Sequence, residues 1–109
     1  MSYKVKTIDV FEKQAKRLTK KYASLKMELF ELVQKLKDKP DQGIAIGKNC
    51  FKIRIAIGSK GKGKSGGGRI ITNFVVSGNT VYLLSIYDKS EKENLTDKEI
   101  EVLLKSIPE

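Results

Sequence analysis

The sequence contains no histidine and no tryptophan, and its only cysteine is Cys50. Without histidine, a catalytic site cannot use imidazole as its general acid or base. A single cysteine excludes an internal disulfide framework and makes a reducing, cytoplasmic setting the expectation. No apolar run approaches the length of a membrane span, and the N-terminal residues lack the apolar stretch of a signal peptide. We therefore expect one cytoplasmic domain over residues 1–109, without a membrane partner.

The acidic residues are too scattered to indicate a metal site. No group of Asp, Glu and Cys has the spacing of metal ligands, so neither a metal nor a cofactor is expected. Asp88, Glu91 and Glu93 lie close together, but in a stretch that is typical of a solvated turn. The sequence thus predicts that any chemistry is carried out by side chains alone.

Positive charge is abundant and unevenly distributed. The sequence has 22 Lys and Arg against 13 Asp and Glu, a formal net charge of +9. Residues 1–87 hold 18 basic and 6 acidic side chains, whereas residues 88–109 hold 4 and 7. A cationic body attracts polyanions because each neutralised phosphate releases counterions. The charge indicates nucleic acid as a partner, although a lysine-rich surface also serves solubility.

Two amphipathic helices are predicted after a short extended segment at residues 3–7. Asp9 is the expected N-cap of the first helix because Glu12 stands three residues further on, as in a capping box. A second apolar stripe runs at helical spacing over residues 25–36 and stops before Pro40, which cannot continue a helix. Helices this close in sequence are expected to form an α-helical hairpin.

The second half of the chain is predicted to form an antiparallel three-strand meander and a C-terminal helix. Apolar residues alternate over residues 51–57, which is the period of a half-buried strand. Further strands are expected at residues 69–76 and 80–87. Thr96 and Glu99 form a second capping box before the last helix. With the short N-terminal strand and the helical hairpin, the fold class is α+β.

The loop from Gly58 to Ser65 matches the G-x-x-x-x-G-K-S pattern of a nucleotide-binding loop. Such a loop must lead into a helix whose N-terminal amides hold the phosphates. Here the pattern runs into glycines and a β-branched strand, which argues against a nucleotide site. Two interpretations remain: a flexible connection, or mobile cations that meet an RNA backbone. In the second, the RNA-binding residues are Lys60, Lys62 and Lys64.

Strand alternation predicts that five polar side chains share one face of the meander. If the isoleucines of the first strand point to the core, Lys52 and Arg54 point to the other face. The same alternation puts Arg69 there from the second strand, and Tyr87 and Lys89 from the third. Four cations on one face repel one another, whereas a merely solvated face would mix both signs. We therefore predict a solvent-exposed cationic site.

This set of residues suits cleavage of RNA without a metal. The 2′-hydroxyl must lose a proton, the phosphorane must be stabilised and the leaving 5′-oxygen must gain a proton. A lysine crowded by other cations has a lowered pKa and can act as a base, and arginine stays protonated and stabilises negative charge. The sequence thus predicts an RNA-cutting protein, with a non-catalytic RNA-binding module as an alternative.

Several segments, taken in order, resemble the RelE/ParE toxin superfamily, and most of all its RelE and HigB-like branch. The segments are Cys50–Ile55, the Gly/Lys/Ser loop, Gly68–Ile71, Tyr82–Leu95 and the Pro40–Gly43 exit of the helical hairpin. The likeness covers nearly the whole chain and depends on the ordered set rather than on one motif. It implies a RelE-like fold.

The resemblance implies the toxin of a type II toxin–antitoxin pair. Such a toxin enters the ribosomal A site, cleaves mRNA there without a metal as an mRNA interferase, and is held inactive by a cognate antitoxin. A ParE-like toxin shares the fold but inhibits DNA gyrase without cutting RNA. The clustered basic face argues against this alternative, because it suits an RNA backbone.

By position, four basic residues match the family's site. Lys52 and Arg54 match the paired basic residues of its second strand, Arg69 matches the arginine that opens the next strand, and Lys89 matches the basic residue after the last strand. The resemblance therefore suggests roles for each. We expect Lys52 to act as the base, Arg54 and Arg69 to hold the phosphate, and Lys89 to lie near the leaving group.

One position departs from the family's pattern. Some members have a catalytic tyrosine where this chain has Leu95. Two alternatives follow: Tyr87 takes over the part of that tyrosine, or a HigB-like chemistry relies on the cations alone. The identity of the general base stays open at this point.

Overall fold

The computed structural model describes residues 2–61, 63 and 66–108. Within these residues, the elements in chain order are β1 (Lys4–Thr7), α1 (Asp9–Lys21), α2 (Leu25–Asp38), β2 (Ile44–Gly47), β3 (Cys50–Ile55), β4 (Gly68–Phe74), β5 (Thr80–Asp88) and α3 (Asp97–Lys105). Short 3-10 turns at Gly58–Lys60 and Val76–Gly78 precede β4 and β5. No helix of this described chain has the length and apolarity to cross a membrane. The predicted α+β class is confirmed.

The described strands form one mixed sheet in the order β1-β5-β4-β3-β2. β3, β4 and β5 pair antiparallel, as the predicted meander requires, and β3 and β4 end slightly earlier than predicted. β1 lies parallel to β5, and β2 pairs with β3. The sequence prediction missed β2, a strand of 4 residues. The turn after it also has positive φ at Lys48 and Asn49, which local patterns do not reveal.

The start of α1 differs from the prediction. Ile8, and not Asp9, is the N-cap, with an extended backbone and no capping side chain. Asp9 is already helical, so the predicted capping box at this helix was wrong. Asp9 and Glu12 instead lie in the first turn, where the positive end of the helix dipole favours a negative charge. The apolar side of α1 buries Phe11 and Leu18.

α2 and α3 agree closely with their predicted boundaries. α2 ends at Asp38, just before Pro40, and its Leu25 and Leu36 are fully buried. At the start of α3, Thr96 Oγ1 accepts a hydrogen bond from the backbone N–H of Glu99 (3.1 Å). Glu99 Oε1 accepts one from the N–H of Thr96 (2.9 Å). The capping box predicted before the last helix is therefore confirmed.

One face of the sheet is apolar and contributes to the core. Ile53, Ile70 and Ile86 are neighbours across β3, β4 and β5, and all are buried, as the alternation predicts. α2 lies on this side, since Leu32 and Ile53 line a common cleft. Burial of such large side chains is the main contribution to the stability of the sheet.

The opposite face is partly covered by α3 and the segment before it. Lys52 Nζ, on β3, donates to Asn94 Oδ1 (2.8 Å). Ser85, on β5, is buried and shares a small cleft with Leu95 and Leu103. The sequence analysis expected this face to be open to solvent, and for β5 that expectation was wrong. The reason is that α3, the next helix along the chain, packs over it.

Candidate functional site

A row of three predicted site residues crosses the middle of the sheet. Arg54 pairs with Arg69 between β3 and β4, and Arg69 pairs with Tyr87 between β4 and β5. Side chains directly opposite one another in neighbouring strands point to the same face. Lys52 lies on β3 two residues before Arg54, and Lys89 follows the end of β5. The fold therefore brings all five residues to one face or to its margin.

The five residues differ in exposure in a way that the sequence did not predict. Arg54 is exposed, and Lys52 and Lys89 are half-buried. Arg69 and Tyr87 are only 4% and 6% exposed. The prediction that these two face solvent was wrong. On this face α3 and the segment before it pack over β5, the strand of Tyr87. The site thus has an exposed rim at Arg54 and a buried centre.

Arg69 and Tyr87 form this buried centre. Arg69 Nη1 donates to the carbonyl oxygen of Gly68 (3.0 Å). Burial raises the pKa of Tyr87 and is the largest effect on it. The charge of Arg69 lowers this pKa by less, and the charge of Glu99 raises it slightly. The phenol therefore stays protonated near neutral pH and can donate a hydrogen bond rather than accept a proton. The hydroxyl oxygen is buried, and among the described residues it has no hydrogen-bond partner.

Lys52 keeps its positive charge unbalanced by a neighbouring carboxylate. Its amino group donates to the side-chain oxygen of Asn94, which is a neutral amide (2.8 Å). No ion pair of Lys52 occurs in the part of the chain that the structure describes. The segment before α3 therefore holds this lysine in place beside Arg54 without a carboxylate partner.

Lys89 lies where β5 meets the end of the glycine-rich loop. Its backbone N–H donates to the carbonyl oxygen of Gly67 (3.1 Å). Its amino group is 3.5 Å from the carboxylate of Glu93, whose side chain is 81% exposed, so water weakens this ion pair. A Cβ at Gly67 would lie 2.1 Å from the carbonyl oxygen of Ile55, so only glycine allows this close approach. The end of the loop is thereby held beside the cationic face.

Lys60 does not lie on a mobile arm. Its side chain is 8% exposed, and its amino group donates to Asp88 Oδ1 (2.6 Å) and to the carbonyl oxygen of Gly66 (2.7 Å). Its charge is balanced inside the protein, which does not agree with the predicted role as a mobile RNA-binding cation. Lys62 and Lys64, the other two cations of that prediction, lie outside the described residues.

Asp88 is the central acceptor of this network, and the sequence analysis missed it. The residue is fully buried and also accepts hydrogen bonds from the hydroxyl of Tyr22 and from the N–H (2.9 Å) and hydroxyl (2.7 Å) of Ser90. Burial raises the pKa of Asp88, but the hydrogen bonds from Lys60, Tyr22 and Ser90 outweigh it and hold the pKa well below its usual range. The expectation of a solvated Asp88 was therefore wrong. Asp88 stands two residues after the buried Ile86, so strand alternation puts both side chains on the same face. This was the signal that could have predicted the burial of Asp88.

The nucleotide-loop pattern at Gly58 does not form a nucleotide site. β4 begins at Gly68, so a strand and not a helix follows the loop. The backbone N–H of Gly58 donates to the carboxylate of Glu28 (2.7 Å). A carboxylate at the first amide of the loop would repel a phosphate. This geometry agrees with the sequence argument against nucleotide binding.

The chain is thus a small α+β protein with a row of site residues across the middle of its sheet. Over residues 6–107 the chain matches the sequence model of a family described as the RelE toxin of the RelE/RelB toxin–antitoxin system. The chain belongs to this RelE toxin family. The predicted membership of the RelE/ParE superfamily is thereby confirmed.

Two solved structures of the toxin RelE from E. coli share this fold. A double arginine-to-alanine variant in the free state aligns with a TM-score of 0.65 at 14% identity, over 99% of this chain and 100% of that one. The isolated RelE toxin in a P21 crystal form aligns with a TM-score of 0.52 at 15% identity, over 97% of this chain and 100% of that one. Identities this low establish the common fold alone.

Proposed function

We propose that this toxin is a ribosome-dependent, metal-independent endoribonuclease that cuts mRNA in the ribosomal A site. The observation that carries the proposal is the row formed by Arg54, Arg69 and Tyr87, flanked by Lys52 and Lys89. An exposed arginine at the rim can capture a phosphate from solvent. A buried arginine behind it attracts the phosphate more strongly, because the dielectric constant falls with depth. The toxin would act in the cytoplasm, where messages are translated.

The row offers a group for each step of RNA cleavage. Lys52 is the proposed base that takes the proton of the 2′-hydroxyl while the 2′-oxygen attacks phosphorus. Arg54 and Arg69 stabilise the negative charge of the phosphorane. The bond between phosphorus and the 5′-oxygen then breaks, and Lys89 donates a proton to the leaving oxygen. One product carries a 2′,3′-cyclic phosphate and the other a 5′-hydroxyl.

In this proposal Tyr87 assists the two arginines as a hydrogen-bond donor, and Lys52 remains the general base. Burial raises the pKa of its hydroxyl, so the group is protonated at the pH of the cell. A protonated phenol beside Arg69 can donate to a non-bridging phosphate oxygen as negative charge develops there. Because this chain has Leu95 in place of the tyrosine of some family members, either Tyr87 or the cations alone must supply the acid and base. The raised pKa of Tyr87 favours the cations.

The family implies a cognate antitoxin as a partner. We propose that an acidic segment of the antitoxin lies across Lys52 and Arg54, the two cations of the site on β3, and blocks RNA directly. Co-expression with the antitoxin should yield a complex that no longer cuts mRNA. Lys52→Glu with Arg54→Glu should weaken that complex at least tenfold, whereas a matched Lys26→Glu with Lys98→Glu variant should not. Equal affinities for both variants would contradict this arrangement.

The test of the proposed activity is induction in a bacterial host followed by primer extension on an abundant message. Wild type should produce cuts within translated codons, and a copy of the message without a ribosome-binding site should stay intact. Arg54→Ala and Arg69→Ala should each lower cleavage by about a hundredfold, the usual effect of removing one group that stabilises a developing anion. Lys98→Ala, at an exposed position of α3, is the control for loss of one cation.

Two other outcomes would overturn the proposal. Growth arrest with DNA damage and intact mRNA would identify a ParE-like inhibitor of gyrase. RNA binding without arrest and without any cleavage product would identify a non-catalytic RNA-binding module. Thermal melting of each variant shows whether a lost activity reflects the site or a lost fold, and Arg54→Ala is the safer variant because Arg54 is exposed.

A further inference from the structure

The solvent side of α1 carries a line of cations that the proposed cutting site does not use. Lys13, Lys16, Arg17, Lys20 and Lys21 follow one another at helical spacing and are all exposed. They line one shallow surface depression, to which no other described residue contributes. We call these five residues the α1 strip. It spans about 10 Å along the helix axis from Lys13 to Lys20.

Only part of the α1 strip is balanced by acidic residues. Arg17 and Lys21 pair with Glu91, at 2.8 Å and 3.5 Å. Lys13, Lys16 and Lys20 form no ion pair within the described chain. Like charges three and four residues apart destabilise a helix, so the strip is not explained by the stability of α1. Three exposed, unbalanced amino groups in one line therefore indicate a polyanionic partner.

The C-terminal end of the α1 strip lies close to the cutting site. Glu91, which pairs with Arg17, closely follows Lys89 of the site. At the end of α1, the hydroxyl of Tyr22 donates to Asp88, the residue before Lys89. A polyanion that extends beyond the cutting site thus meets cations along α1. The strip is placed to contact RNA other than the nucleotides that are cut.

We propose that the α1 strip binds the phosphate backbone of a folded RNA of the ribosome and anchors the toxin there. The inference rests on the proposed function, since it names a second contact with the same particle. Between residues 13 and 21 the exposed side of α1 presents no apolar side chain. A protein partner needs an apolar core in its interface, whereas phosphate contacts require charge alone. The chemistry therefore favours RNA over an acidic peptide, without recognition of base sequence.

The test measures co-sedimentation with purified 70S ribosomes over a range of salt concentrations. The strip variant combines Lys13→Gln, Lys16→Gln and Lys20→Gln, which keep good helix formers in α1. The control combines Lys6→Gln, Lys26→Gln and Lys98→Gln, which remove the same charge from scattered exposed positions. The strip variant should bind at least tenfold more weakly and lose about 2–3 from the slope of log affinity against log salt, since each phosphate contact contributes about 0.7–0.9. The control should stay near wild type.

A second variant tests the α1 strip in the opposite direction. Glu91→Gln breaks the ion pairs that Arg17 and Lys21 form with Glu91, while Lys21 keeps its pair with Asp88, and should tighten binding to ribosomes at low salt. Equal weakening of the strip and control triples, or no effect of either the strip triple or Glu91→Gln, would overturn the inference. So would a strip variant that binds ribosomes normally but loses an acidic antitoxin.

The two proposals fail in distinguishable ways. Sedimentation does not depend on cleavage, so it tests the anchor even if wild type cuts no RNA. If both proposals hold, the strip variant should cut at the wild-type rate when ribosomes are saturating and more slowly when they are scarce. Arg54→Ala should instead cut more slowly than wild type even when ribosomes are saturating. Wild-type cleavage at every ribosome concentration by the strip variant would overturn the anchor and leave the nuclease proposal intact.

Discussion

The amino group of Lys60 and the carboxylate of Asp88 lie 2.6 Å apart, with side chains only 8% and 0% exposed. Lys60 also donates to the carbonyl oxygen of Gly66, so one amino group connects the start of the glycine-rich loop to its end and both to β5. Removal of one partner from a buried ion pair leaves the other charge without compensation. This pair therefore controls the geometry of the loop beside the cationic site.

Asp88→Asn is expected to lower the free energy of unfolding by about 3 kcal/mol, as for other broken buried ion pairs. Urea denaturation at neutral pH measures the change. Lys60→Met combined with Asp88→Asn should recover part of the loss, because no buried charge then lacks a partner. Glu93→Gln, which breaks the exposed pair with Lys89, should change stability by less than about 1 kcal/mol. Equal losses from the buried and the exposed pair would contradict the role of Asp88.

The pH dependence of stability should carry the signature of Asp88. Its pKa in the folded protein is lowered, because hydrogen bonds from Lys60, Tyr22 and Ser90 outweigh the effect of burial. Its unfolded value is about 4, so its stabilisation is complete well above that pH and is lost as pH falls toward the folded pKa. Melting temperatures between about pH 5 and 3 should therefore fall less steeply in Asp88→Asn than in wild type. Parallel curves would contradict the lowered pKa.

Tyr87→Phe separates a contribution to activity from a contribution to stability. The buried hydroxyl has no hydrogen-bond partner among the described residues, so its removal should leave stability unchanged or raise it by up to about 1 kcal/mol. RNA cleavage should nevertheless decrease, since a donor to the phosphate is lost. Tyr82→Phe, on the same strand but half-buried, is the control and should cut normally. A large loss of stability in Tyr87→Phe would show that the hydroxyl is bonded after all.

Gly67→Ala tests whether the end of the loop must approach β3 closely. The added Cβ would lie 2.1 Å from the carbonyl oxygen of Ile55, so the backbone must shift. We expect a loss of about 1–3 kcal/mol in unfolding experiments, together with weaker cleavage because Lys89 donates its backbone N–H to Gly67. Gly78→Ala, where a Cβ would meet no atom within 4 Å, should be nearly neutral. Similar effects at both glycines would argue against a constrained loop.

Short-range patterns in the sequence determined most of the elements. Pro40 ends a helix through the geometry of its own ring, and the capping box joins Thr96 to a residue only three positions away. The alternation in β3, β4 and β5 correctly placed Arg54, Arg69 and Tyr87 on one face. Each of these features depends on neighbours along the chain, so each leaves a local signal. The basic excess likewise follows from composition and indicated a polyanionic partner.

Pairing between distant segments left no such signal. The parallel pairing of β1 with β5 joins Lys4 to Thr80, 76 positions apart, whereas β2 was missed although it pairs with β3, the next strand. The exposure of the site residues likewise left no local signal in the sequence. Arg69 and Tyr87 share their face with Arg54, yet only Arg54 is exposed, because α3 and the segment before it pack over the other end of the row. The sequence thus determined which side chains share a face, and only tertiary packing decided which of them reach solvent, since burial depends on how separate elements pack against one another.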